Sequence, residues 1–170
     1  MYSLLRAAAA ATVLLAVPGV AQAQAWVDWG ERSARELITA EHGTVTEVTV
    51  GADGELHIYA TFDGWLHMLL IGTDCNGQGT NQRCKRLGFN ALFEVDDTTR
   101  ALALEREMIL AFVADIADGE DLVLHREVDL TGGVSLVNIR AQLDRFIRTC
   151  EQASDQIWPA ADGKGPTKPR

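Results

Sequence analysis

The stretch from Thr44 to Val95 constrains this chain most, because it reads as four successive antiparallel strands joined by short turns. Within it, Phe62-Asp63-Gly64-Trp65 places Asp-Gly between two aromatic-containing runs. That is a strong hairpin signal, since both central residues of the turn must accept positive φ. With a two-residue turn, Phe62 lies opposite Trp65, Ala60 opposite His67 and Ile58 opposite Leu69. Upstream, Gly51-Ala52-Asp53-Gly54 closes a looser hairpin between Val45–Val50 and Glu55–Thr61. Downstream, Leu87, Phe89, Ala91, Phe93 and Val95 alternate with mostly polar residues, as a strand with one buried face requires.

Aligning the third and fourth strands outward from Cys75 and Cys84 puts Leu66, Met68 and Leu70 on one face with Phe89, Ala91 and Phe93. In this register the same face collects Val48, Val50 and Tyr59 and forms the core. The opposite face then holds Leu56, Ile58, Phe62, Trp65, Leu69 and Ile71, beside Glu47, Asn90 and Glu94. It is too apolar to be simply wet. Either something packs on it, or the register is shifted by one residue, which would exchange the two faces. Ile58, Phe62, Trp65, Leu69 and Ile71 are accordingly the candidate interaction surface.

Residues 1–25 have the pattern of a secretory signal. Arg6 gives a thin positive region, Ala7 to Val17 an apolar run, and Ala21-Gln22-Ala23 or Ala23-Gln24-Ala25 a cleavage site. Export to a bacterial periplasm or beyond is therefore expected, with a single domain over 26–158 and a disordered tail over 159–170, rich in proline and glycine. No further apolar stretch is long enough to span a membrane. The formal charge of the whole chain is -9, which disfavours nucleic acid and anionic lipid as partners.

Cys75 and Cys84 flank a polar loop between the third and fourth strands. In an oxidising compartment cysteines at the ends of adjacent strands are natural disulfide partners. Zinc would need two more soft ligands nearby, which the sequence does not offer. Cys150 falls on the apolar stripe of a last helix that begins at Ser135 and runs to about Glu151, so a buried thiol is expected. A first helix over Ala34–Ala40 has Ser33 and Glu36 at capping-box spacing. Another runs from Arg100 to about Leu110, with Ala101, Leu104 and Met108 on one side. A second hairpin, Phe112–Ile116 with Leu122–Leu130, is most simply added to the same sheet. The whole is an α+β chain, order roughly αββββαββα, with an antiparallel sheet of five to six strands and flanking helices.

Chemistry is hard to find. The two-residue turn places His57 and His67 on opposite faces, which denies them a shared metal, while His42 and His125 lie elsewhere. Ser33 and Ser135 are better explained as caps, and Ser154 sits at a fraying helix end. Asp115, Asp118, Glu120 and Asp121 come nearest to a calcium loop without its ligand spacing, and Gly77-x-Gly79 lacks the rest of a phosphate cradle. No catalytic, cofactor-binding or metal-binding residue is assigned, and no cofactor is expected.

Phe89-Asn90-Ala91-Leu92-Phe93, Leu104-Glu105-Arg106-Glu107 and the run Asp118 to Ser135, ending Val128-Asp129-Leu130-Thr131-Gly132-Gly133-Val134, resemble the YbjN family of bacterial domains. The family usually carries Trp-Asn where Leu104-Glu105 stands, and an aromatic-basic run where Met108-Ile109-Leu110 stands, so the chain resembles a divergent member. The resemblance implies a fold similar to type III secretion chaperones, and a regulatory role through protein contact. It brings no catalytic residue. The expected function is therefore a non-enzymatic, exported module that binds a protein or peptide, or a second copy of itself. The alternatives are a small-ligand or inhibitor module using the loop 75–84 and, more remotely, a hydrolase or metal enzyme.

Overall fold

The computed structural model describes residues 25–26, 28–94, 103–104, 111–116 and 119–158. Six strands form one sheet: β2 (Thr44–Val50), β3 (Leu56–Phe62), β4 (Leu66–Asn76), β5 (Arg83–Glu94), β6 (Ala111–Ile116) and β7 (Gly119–Asp129). Every pairing is antiparallel and the spatial order is β2-β3-β4-β5-β7-β6. The second hairpin thus joins the same sheet, with β7 beside β5. Among the described residues, α1 (Glu31–Ala40) and α2 (Leu136–Ile157) are the long helices of this α+β fold. A short ribbon, β1 (Ala25–Trp26) with β8 (Val134–Ser135), stands apart from the main sheet.

One residue of register separates the expected sheet from the observed one. Asp63 and Gly64 both have positive φ, 49° and 72°, and Trp65 N–H donates to the Phe62 carbonyl at 3.1 Å, so the expected turn forms. Pairing, however, resumes at Phe62 opposite Leu66, with Ala60 opposite Met68 and Ile58 opposite Leu70. Trp65 is the extra residue, bulged out of the ladder. The slip carries β3 to its other face, and Leu56, Ile58, Ala60 and Phe62 enter the core, each no more than 1% exposed. Tyr59, expected in the core, is 38% exposed, and so is Val50 at the sheet edge. Burying a large aliphatic or aromatic side chain is worth about 1.5–3 kcal/mol, so sending Leu56, Ile58 and Phe62 inward outweighs a regular two-residue hairpin.

The β4–β5 alignment holds as read: Met68 faces Ala91, Leu70 faces Phe89 and Cys75 faces Cys84. On the inner face these residues meet Ala34, Leu37 and Ile38 of α1 and Ile139, Leu143, Phe146 and Cys150 of α2. The rings of Phe89 and Phe146 lie 5.9 Å apart. From β7, Leu122, Leu124 and Val128 point inward, followed by Leu130, as the alternation requires.

The helices differ from expectation at their ends. Gly30 precedes α1 and Ser33 lies inside it, where it caps nothing. Glu31 occupies the first turn, and its hydrogen bond from Arg35 holds its carboxyl below the ordinary value. Ser135 does cap α2, accepting from Asn138 N–H at 3.2 Å. That helix continues six residues past Glu151, because Ala153, Ser154 and Ile157 keep its stripe buried, so Ser154 is core rather than frayed end. Arg140 of α2 donates to the Ala40 carbonyl at 2.6 Å and to the Glu41 carboxylate, tying the two helices together.

Three expectations lie outside the described residues: the signal segment up to residue 24, the tail over 159–170, and most of the helix over 100–110. Of the last, Ala103 and Leu104 are helical and Leu104 is buried in the core. The side chains of Asp115, Asp118, Glu120 and Asp121 also fall outside the description.

Candidate functional site

With α1 and α2 packed on the inner face, the outer face of the sheet is the surface left to consider. Its composition follows from the corrected register. Each strand contributes alternate residues: Glu47 from β2, His57, Tyr59 and Thr61 from β3, His67, Leu69 and Ile71 from β4. From β5 and β7 come Arg86, Gly88, Asn90, Leu92 and Glu94, then Val123, His125, Glu127 and Asp129. Tyr59, Leu69, Ile71, Leu92 and Val123 line a groove of about 450 Å³, together with Thr46, His67 and Asn90. Leu92 is 49% exposed. No described helix covers this face.

Its polar groups are arranged to hold the floor rather than to react. Asn90 donates to the Leu69 carbonyl at 3.2 Å, and its Oδ1 lies 2.7 Å from His125 Nδ1. At the other end Thr61 Oγ1 lies 3.1 Å from His67 Nδ1. A second cleft of about 320 Å³ adjoins the groove, sharing His67 and Leu92 with it and adding Trp65, Phe93 and Trp158. Trp158 packs at a tilt against Phe93, ring centroids 6.0 Å apart, so it docks at the end of the sheet and not across the outer face.

The five residues expected to share one surface are therefore divided. Ile58 and Phe62 belong to the core. Leu69 and Ile71 lie on the outer face, half-buried, and Trp65 stands at its rim in the turn. Tyr59 and Leu92 take the vacated places. Tyr59 was legible in the strict alternation of Leu56-His57-Ile58-Tyr59-Ala60-Thr61-Phe62, which outranks the turn length as a guide to which side faces in.

The observed register brings His57 and His67 to one face, where opposite faces were expected. His57 pairs with Ile71 and His67 with Thr61, so both imidazoles lie on the outer face, four positions apart along β3. Ser33 is in α1, Ser135 caps α2 and Ser154 is buried within it; a histidine accompanies none of them among the described hydrogen bonds. Asp53, Glu55 and His57 bring their ligating atoms within 4.8 Å of one another. Turn chemistry accounts for this grouping. Asp53 Oδ1 accepts from Glu55 N–H at 3.2 Å, closing the β2–β3 turn, and Glu55 Oε2 reaches His57 Nε2 at 3.5 Å.

Cys75 and Cys84 form the disulfide expected of them. Asp74, with φ 52°, breaks the strand alternation beside it. Cys84 turns in against Trp29, whose N–H and carbonyl bond the Cys84 backbone at 2.6 and 2.7 Å. Trp29 is fully buried, a core role its place before the first helix did not announce. The loop closed by the disulfide also comes near α1, where Thr80 helps to hold the Glu31 carboxyl below its ordinary value. Cys150 is the buried free thiol that the helix stripe implied.

No family model matches the chain, and no curated protein matches it at a significant level. Among solved structures, the crystal structure of YbjN from E. coli superposes with a TM-score of 0.46 at 18% identity, covering 78% of this chain and 91% of that one. At these values no function is carried across. Among the described residues, no helix is long and apolar enough to cross a membrane.

Proposed function

We propose that this chain is a non-enzymatic, exported binding module of the YbjN-like kind that engages a protein partner through the outer face of its sheet. One observation carries the reading: a contiguous apolar groove, lined by Tyr59, Leu69, Ile71 and Leu92, lies opposite the helix-covered face. Sheets in folded domains bury their apolar faces against another layer, and a second apolar face that no described helix covers suits a layer supplied by a partner. Asn90, His125, Thr61 and His67 at the groove are engaged with one another or with backbone, which fits recognition by shape and desolvation. The apolar run at the amino terminus supports export, and the Cys75–Cys84 disulfide fits an oxidising compartment.

Site-specific photo-crosslinking tests this reading, with the reactive group at Leu92 and at Tyr59 and a comparison at Arg148 on the solvent side of α2. The expected result is one polypeptide joined at both groove positions and absent from Arg148. That polypeptide, once purified, should bind the wild type and not a Leu69→Glu variant. Equal capture at all three positions would overturn the reading.

A further inference from the structure

The outer face is ringed by carboxylates. Glu47 stands opposite Tyr59 at the β2 edge, Glu94 lies two positions beyond Leu92, and Glu127 is paired with Gly88. Glu55 lines the depression that continues the groove past Ile71, and Asp129 follows on the same side of β7. Against these five acids the described residues of the face set one guanidinium, Arg86, which lies 3.5 Å from Glu127 and also acts on Asp129. The groove is an apolar floor with a negative rim.

Resting on the reading of this face as the docking surface, we infer that its occupant is a cationic amphipathic segment of another protein: a stripe of aliphatic or aromatic side chains flanked by lysine or arginine. The aliphatic stripe would fill the floor formed by Tyr59, Leu69, Ile71 and Leu92, and the flanking cations would meet Glu47, Glu94 and Glu127. A second copy of this chain is the wrong occupant. Pressing two such faces together would oppose the same carboxylates to one another, on molecules that each carry a formal charge of -9.

The test uses the purified, disulfide-bonded protein and three fluorescent peptides of about five helical turns. The first has a leucine stripe and lysine at its other positions. The second has the same stripe with glutamate, and the third has the lysines with serine in place of leucine. By fluorescence anisotropy at low salt the leucine–lysine peptide should bind at least about tenfold tighter than either of the others. Its binding should weaken severalfold at high salt, as rim charges are screened. Glu47→Lys with Glu94→Lys should erase the preference for lysine. Leu92→Ser with Tyr59→Ser should abolish binding while the rim stays acidic.

If the leucine–glutamate peptide binds equally well, the cationic partner is overturned and the apolar docking face survives. Equal binding of the serine–lysine peptide would reduce the attraction to bulk charge and overturn the proposal. Binding by neither leucine peptide also overturns this partner chemistry, and the crosslinks at Leu92 and Tyr59 then decide separately whether the face docks a protein at all. A dimer in sedimentation that dissociates in the Leu92→Ser variant would assign the face to a second copy.

Discussion

Trp29 lies against Gly72. A Cβ on Gly72 would stand 3.0 Å from Cδ1 of the indole, and 2.6 Å from the Sγ of Cys84. The absent side chain lets the tryptophan and the disulfide pack under the β4–β5 ribbon. Gly72→Ala should therefore destabilise the protein by about 1–3 kcal/mol, the range for overpacking a filled core. Urea denaturation measures this, and a change within error would show that Trp29 can yield.

The disulfide closes a loop of nine residues' separation. Cys75→Ser with Cys84→Ser, or reduction of the wild type, should lower stability by about 2–3 kcal/mol while the circular dichroism of the folded state is retained. Identical melting curves with and without reductant would contradict this.

Burial pushes the Cys150 thiol well above its ordinary value of 9.0, and the neighbouring Glu151 charge adds to the effect. The folded state thus keeps its proton where the unfolded chain loses it. Below pH 9 the two states bind that proton equally; above it, stability should fall as pH rises. Cys150→Ala should cost stability at neutral pH and flatten this alkaline slope. A thiol reagent should label the wild type only on unfolding, and rapid labelling of the native protein would contradict the burial.

The register makes opposite claims for residues on the two faces of the sheet. Ile58→Ala should cost about 2–5 kcal/mol as a core truncation, whereas Leu92→Ala on the outer face should stay within about 0.5 kcal/mol. Comparable losses at both positions would mean the two faces are misassigned.

Ala25 pairs with Ser135 through the backbone. If the exported chain is processed after Ala23, β1 is kept whole; processing after Ala25 would remove half of it. Amino-terminal sequencing of the mature protein should therefore begin at Gln24. A start at Trp26 would show that the fold does without this pairing.

Much of the architecture was legible because it is written in local periodicity. Alternation in β5 and β7, the apolar stripe of α2, the Ser135 cap and the Asp63-Gly64 turn each concern residues that meet within one element or across one turn. The β4–β5 register was legible too, since two cysteines anchored it. What a hairpin signal cannot state is whether the residue after the turn enters the ladder. Trp65 does not, and that single bulge moved Ile58 and Phe62 from the expected surface into the core and brought Tyr59 out. Burial summed over the whole of β3 in the assembled core decided it, and such a sum exists only once the layers are assembled.

The sequence by itself determined the class of fold, the succession of its main strands along the chain, the cysteine pair and the acidity of the whole, because composition and local pattern carry these. Only the tertiary structure decided which side of the sheet the helices take, and so which apolar residues are left facing outward. Pairing contacts are local, but the choice of face depends on long-range packing that no segment records alone.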